Sequence, residues 1–522
     1  MTHRPTIYGT RHAVSAGHYL AASAAFSILE SGGNAIDAAV TAAAVLSVTE
    51  PHMTGIGGDC FCMLHVPGKQ VWGYNGSGRA GERASLDALT ARGVRAISSD
   101  SIHAVTVPGA IDAWAAILAA HGRFSLDRAL APAIHYAESG FPVASRIAWD
   151  WAREVEKLGA DPGAARHFLF GGRPPAEGDV VKLPALANTL RTIAKKGPSA
   201  FYEGPIADDM VATLAARGSF LSSEDFARHR GDVVAPIATN YRGLDVLELP
   251  PNTQGLTALV LLNILERFDL AALGPLGAER FHVALEAARL AYAVRDTHLA
   301  DPAFMRAAVA DLLDKRFAAE LAGRIDGARR AELPSAPSPA DSDTVYATVV
   351  DRDRMAVSLI NTLYSHFGVG ICTEQTGIMF TNRGACFVVD PDHPNAFGPS
   401  KRPMHTIIPA LGVRDGRCEL AFGVMGGSYQ AMGHAHVVTN MVDFGMDVQA
   451  AIDAPRAFFV GGTSVAERGL PPAAIEGLLA RGHEVGLASA PWGGAQAIRI
   501  DRERGVLIGG SDPRKDGCAL GY

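Results

Sequence analysis

The chain lacks most of the short signatures that announce an enzyme. There is no HExxH, no phosphate-cradling GxxxxGK[ST], no GxSxG, and no GxGxxG after a strand-like run. No run of Lys and Arg exceeds a few residues, and the net charge is −7. A nucleic-acid reader would need a basic patch, so that partner is not expected. Glycine is abundant, 56 residues in 522, but follows no G-X-Y period, which excludes a collagen-like fibre. Cysteine is sparse. Six are spread at Cys60, Cys62, Cys372, Cys386, Cys418 and Cys518, too thinly for a disulfide scaffold. Cys60 and Cys62 flank one residue, closer than the usual CxxC spacing, so the cysteines read mostly as reduced core residues. The small-apolar stretch 35–48 contains Asp37 and two Thr, too short and polar to span a bilayer. The start, Met1-Thr2-His3-Arg4-Pro5, lacks the pattern of a secretory signal, and a cytoplasmic protein is expected.

What is present fits a folded, globular chain. Hydrophobic residues make up 48% and charged residues 19%, ordinary for a globular chain and unlike a disordered one. Length alone allows up to three domains or one merged core. The first 340 residues read mostly as helices: 35–48, then near 109–121, 127–139, 183–196, 203–217, 255–273, 276–298 and 303–322. Asn34, after Gly32-Gly33, is placed to cap the Ala-rich helix that follows it. Short β-like runs lie at 60–66, 70–74 and 244–249. The composition then shifts. Residues 331–343, AELPSAPSPADSD, have the Pro-rich look of a linker. After it, 344–350 and 355–361 form a hairpin pattern around a charged turn. Further strands are expected at 376–381, 406–412 and 418–424, then a helix near 429–444.

The junction Ser342-Asp343-Thr344 carries the chemistry. If the bond before Thr344 breaks, that residue presents a free amine beside its own hydroxyl, and the amine can serve as base for the Thr nucleophile. Its pKa, about 7.7–8.0, leaves a useful neutral fraction near pH 7. By spacing alone, Thr344 also fits a plain strand start. Gly426-Gly427-Ser428 falls between a strand and a helix, where backbone N–H groups can hold an oxyanion, or form an ordinary turn. Arg383, in Asn382-Arg383-Gly384, reads as sitting at a strand end, able to clamp a carboxylate or to make a surface ion pair. Lys401-Arg402-Pro403-Met404-His405-Thr406 presents polar groups on a loop. His434 and His436, two apart on a helix, face apart, so no metal is expected there.

Several segments in order resemble the γ-glutamyltransferase family: GGNAIDAAVTAAAVLSVTEPHMTGIGGDCF (32–61), Val107-Pro108-Gly109, NTQG (252–255), DTVYATVVD (343–351), GPSKRPMHTIIPAL (398–411), GVMGGS (423–428), DAPR (453–456) and SDPR (511–514). The resemblance covers nearly the whole chain. It implies an α+β N-terminal-nucleophile (Ntn) hydrolase with a four-layer αββα sandwich, made as a proenzyme. Thr344 would attack the Asp343 carbonyl and divide the chain into 1–343 and 344–522, which would stay together as a heterodimer, with a dimer of these as a further assembly. Thr344 would be the nucleophile, Thr362 its hydrogen-bonding support, and Gly426 and Gly427 the oxyanion donors. No metal or organic cofactor is implied. The partners would be a small amide and a water or amine acceptor.

The departures from the family are equally informative. Asn75 stands where γ-glutamyl-binding members have an Arg for the substrate's α-carboxylate, and Cys386 where they have an Asp for its ammonium. Tyr364, Arg383 and His405-Thr406 replace an Asn, a Gln and a Ser pair. Losing both charged contacts removes several kcal/mol of binding. Arg383 and His405 offer a cationic spot instead, narrowed by Tyr364. This pattern is similar to the oxamate amidohydrolase branch of the family. A short, carboxylate-bearing amide is therefore the expected substrate, with a γ-glutamyl compound as the alternative and an uncleaved binding protein as the competing class.

Overall fold

The computed structural model describes residues 4–332, 344–460 and 462–522. Two seven-stranded sheets dominate it, each antiparallel at every pairing. One runs Cys518–Gly521, Ala13–Ala16, Val345–Val350, Ala356–Thr362, Asp59–His65, Trp72–Gly76, Asp232–Val234. The other runs Ile7–Gly9, Val506–Ser511, Gly494–Asp501, Arg417–Met425, Ala410–Arg414, Leu244–Glu248, Ile237–Tyr241. Phe61, Met63, Tyr346 and Ile360 of the first sheet meet Leu411, Ala421, Met425 and Ile498 of the second in one apolar layer. Helices Tyr19–Glu30, Ala35–Thr49 and Ala110–His121 contribute to a core with the first sheet; Gly255–Leu265, Ala278–His298 and Gln430–Val442 do so with the second. The result is the αββα sandwich. The central strands are covered on both faces, which explains why Val345–Val350 is wholly buried and reads as a continuous β-branched and aromatic run.

Two local devices bring the sheets into register near position 344. Tyr346 lies over Gly423 of the opposite sheet, where a Cβ would sit 2.4 Å from the ring. Its hydroxyl shares a 2.7 Å hydrogen bond with Ser358, whose Oγ accepts from the Ala410 N–H at 3.0 Å. Outside, helix Ala35–Thr49 is buried along its whole length. Its start is closed by a capping box: Asn34 Oδ1 accepts from the Ile36 and Asp37 amides, and Asp37 accepts from the Asn34 amide at 2.8 Å. Asp37 also accepts from the Arg123 and Phe124 amides, tying the cap to a neighbouring loop. Asn34→Ala should lower unfolding stability by about 1 kcal/mol, read as a fall in the urea midpoint; an unchanged midpoint would mean that the cap contributes nothing.

The expected helices and strands are mostly present, with instructive exceptions. The periodicity of 255–273 breaks into Gly255–Leu265 and Leu270–Leu273, the second capped by Asp269. Residues 303–322 divide into a 3₁₀ turn Pro302–Phe304 and helices Val309–Leu312 and Lys315–Ala322, because Asp301 and Asp314 each open a new turn. No strand forms at 376–381: Gly377 is left-handed and Thr373 Oγ1 takes the Ile378 amide, leaving one isolated bridge between Cys372 and Met379. The strand expected from 406 begins only at Ala410, since the Ile407 amide goes to His405 Nδ1 and the Ile408 amide to Gln430 Oε1. Of the Pro-rich segment, only Ala331 and Glu332 are described; Asp343 lies outside the described residues.

Candidate active site

Thr344 is the residue just before strand Val345–Val350, and Thr362 ends the neighbouring strand Ala356–Thr362. The antiparallel register pairs Val345 with Asn361, so the two threonines meet at the same sheet edge. Their hydroxyl oxygens are 3.2 Å apart, and both residues are buried. The Tyr364 amide donates to Thr362 Oγ1 at 2.7 Å, which holds that hydroxyl in place. Gln430, the first residue of helix Gln430–Val442, directs its Nε2 at Thr344 Oγ1 across 3.4 Å. Its own carbonyl accepts the Ile408 amide, which fixes which end of the amide faces the threonine. Gln430 was not evident from sequence; it lies just beyond the GVMGGS segment.

The glycine pair occupies the turn that joins strand Arg417–Met425 to this helix. Gly426 has φ +122° and Gly427 φ +55°, conformations that side chains resist. A Cβ on Gly426 would also meet the Gly493 backbone at 3.0 Å. Among the described residues, neither glycine amide donates a backbone hydrogen bond. Two such donors, at the start of the helix that carries Gln430, are able to hold an anion or a developing oxyanion. Gln254 supports the turn: its Nε2 donates to the Gly427 carbonyl at 2.8 Å and to the Thr406 carbonyl at 2.6 Å, while Arg295 donates to its Oε1 at 3.1 Å. Gln254 was visible within the NTQG segment, but Arg295, inside a long helix of mixed polarity, carried no local signal.

The expected substrate contacts divide into two groups. Tyr364, Arg383 and Thr406 come together. Arg383 stacks over the Tyr364 ring at 3.9 Å and donates from Nη1 to Thr406 Oγ1 at 2.9 Å. Tyr364 takes a left-handed backbone, φ +82°, one residue beyond Leu363. Arg383 stands in the 3₁₀ turn Arg383–Cys386, not at a strand end as its sequence position implied. It is fully buried, and its Nε and Nη2 have no hydrogen-bond partner among the described residues. Asn75 is engaged internally, donating to Asn252 Oδ1 and accepting from the Ser77 amide and hydroxyl.

His405 does not provide the charge expected of it. Its Nε2 is 3.0 Å from Asp59 Oδ2 and its Nδ1 accepts the Ile407 amide, which fits one neutral tautomer. Burial, then the nearby Arg383 charge, push its pKa down to about 3 against the bond to Asp59. The cationic spot therefore rests on Arg383. Asp59, whose other oxygen accepts the Gly78 amide, is the positioning partner that sequence reading passed over. Burial likewise lowers His18 to about 3. Once unfolded, both would bind protons near pH 6.5, so the unfolded state is the better proton acceptor between about pH 6.5 and 3. Stability should accordingly fall as pH drops from 7 to 5, seen as a lower urea midpoint; a midpoint that rises over that range would contradict neutral burial.

His434 pairs with Glu248 at 2.6 Å, and no group of three or more His, Cys, Asp or Glu side chains among the described residues could hold a metal. No described helix is long and apolar enough to cross a membrane.

A terminal-strand threonine, a supporting hydroxyl and an amide-lined turn between two sandwiched sheets define an Ntn hydrolase. The chain belongs to the γ-glutamyltranspeptidase family, whose model matches residues 21–522. It is 41% identical to the glutathione hydrolase-like YwrD proenzyme of Bacillus subtilis, over 99% of both chains. It is 36% identical to the oxamate amidohydrolase proenzyme of Klebsiella pneumoniae, over 97% of this chain and 98% of that one. Among solved structures, a cephalosporin acylase from Bacillus halodurans superposes with TM-score 0.95 at 37% identity, covering 100% of this chain and 98% of that one. The protein is thus an enzyme of this family, an amide hydrolase by its relatives and its site.

Proposed function

We propose that the enzyme hydrolyses a short amide bearing a carboxylate, such as oxamate, through an ester on Thr344. One observation carries the reading: the fully buried Arg383 guanidinium has two nitrogens without acceptors among the described residues, and it is linked to Thr344 through Thr362 and Tyr364. Leaving a buried donor unsatisfied costs about 1–3 kcal/mol, more for a charged group, and a substrate carboxylate would relieve it bidentately. The Tyr364 ring, 3.9 Å from the guanidinium, covers one of its faces and so favours a small acid.

The same proposal includes maturation. Thr344 Oγ attacks the Asp343 carbonyl, the acyl group moves from nitrogen to oxygen, and water hydrolyses the ester to leave a new N-terminus at Thr344. In turnover, the Thr344 amine takes the hydroxyl proton as Oγ bonds to the substrate carbonyl. The Gly426 and Gly427 amides receive the oxyanion. The amine returns its proton to the leaving nitrogen, and water then attacks the ester. The relatives named as proenzymes support this order. A cytoplasmic location belongs to the proposal, supported by six cysteines without disulfides among the described residues; cell fractionation tests it.

A second reading, hydrolysis of γ-glutamyl amides, is favoured by the 41% identity to the protein called glutathione hydrolase-like. Parallel assays decide between them: ammonia released from oxamate, and glutamate released from glutathione. Turnover of oxamate at least tenfold more efficient is expected. Glutathione turned over while oxamate is left untouched would overturn the first reading.

A further inference from the structure

Cys386 is unlike the other cysteines. Cys60, Cys62, Cys372 and Cys418 are buried, and burial pushes their thiols up; it also raises the half-buried Cys518. Cys386 is half-buried at the end of the turn Arg383–Cys386, with its carbonyl fixed by Asn395 Nδ2 at 2.6 Å. Its sulfur is 3.6 Å from Arg383 Nη1 and is hydrogen-bonded by the Tyr364 hydroxyl. Among the described residues no carboxylate forms an ion pair with Arg383, whose Nε and Nη2 remain without partners. A half-buried cysteine whose sulfur faces a guanidinium sits in the kind of electropositive surroundings where reactive cysteines are found.

We propose that Cys386 is an oxidant-reactive thiol whose modification closes the active site. The oxidant is a hydroperoxide. The thiolate sulfur attacks one peroxide oxygen, an S–O bond forms and the O–O bond breaks. Sulfur loses two electrons to become a sulfenic acid, and the leaving hydroxide takes a proton to become water. The added oxygen is placed beside the Arg383 guanidinium, where it competes with a substrate carboxylate for the same donors. A thiol reductant reverses the change by forming and then resolving a mixed disulfide. The site does not depend on which amide is hydrolysed; only the competition with a carboxylate rests on the proposed function.

The test treats the purified full chain with hydrogen peroxide in the presence of dimedone, and reads modified peptides by mass spectrometry alongside activity. Cys386 should label at least tenfold faster than any other cysteine. Activity should fall in step with peroxide alone and return with dithiothreitol. Cys386→Ser, scored against its own untreated rate, should keep its activity under peroxide. Arg383→Met should slow labelling roughly tenfold, and Tyr364→Phe, which keeps the ring, should slow it less. Labelling spread evenly over the cysteines, or Cys386→Ser inactivated as fast as the parent, would overturn the proposal. Oxamate should protect Cys386. Fast labelling that oxamate fails to slow would sink the carboxylate placement and leave the thiol site standing; slow labelling with oxamate turned over would do the reverse.

Discussion

Thr344→Ala should abolish turnover and leave the chain in one piece. The variant loses only a hydroxyl and a methyl group at a buried sheet edge, so the sandwich should form and its melting behaviour should change little. What disappears is the attacking oxygen for both reactions. Removing a catalytic nucleophile typically lowers kcat by several orders of magnitude, here on the order of 10⁴-fold or more. A denaturing gel should show one band near the full chain, where the parent is expected to show two matching 1–343 and 344–522. Thr344→Ser retains a hydroxyl and should still cleave. An active, uncleaved parent, or a Thr344→Ala chain that cleaves normally, would remove the basis of the proposed chemistry.

Arg383→Met should be the most damaging change in the pocket wall. Methionine fills much of the same volume but supplies no donors. If the guanidinium holds the substrate carboxylate, its loss should cost about 2–5 kcal/mol, or roughly thirty- to several-thousand-fold in kcat/KM for oxamate. Self-cleavage needs no external carboxylate, so the gel pattern should stay that of the parent. That split separates a binding defect from a folding defect. Arg383→Lys should recover only part of the loss, because a point charge cannot grip bidentately. Unchanged kcat/KM in Arg383→Met would refute the assignment.

Much of the architecture was legible in the sequence because its signals are local. Ala35–Thr49 announces itself through Asn34 and its alanines, and Val345–Val350 through its β-branched run. The exceptions arise where side chains compete with the ladder for backbone donors, as Thr373, His405 and Gln430 do. The site was legible to the extent that motifs carry it. Thr344 and Thr362 lie at one end of neighbouring strands and Gly426 and Gly427 in one turn, and it was the family resemblance that singled them out. Charge was harder to read. His405 looks cationic as a letter, but its burial against Asp59 is a long-range fact separated by 346 positions. Arg295 and Gln254 likewise act through contacts that only the folded chain creates.

The sheets mix strands from both sides of position 344. Ala13–Ala16 is flanked by Cys518–Gly521 and Val345–Val350, and Leu244–Glu248 runs beside Ala410–Arg414. Once the backbone is cut there, neither fragment retains a complete seven-stranded sheet of its own. Full denaturation of the matured enzyme would then turn a unimolecular search into an encounter between two chains, and the speed of recovery should rise with protein concentration. An uncut chain would renature at the same rate however far it is diluted.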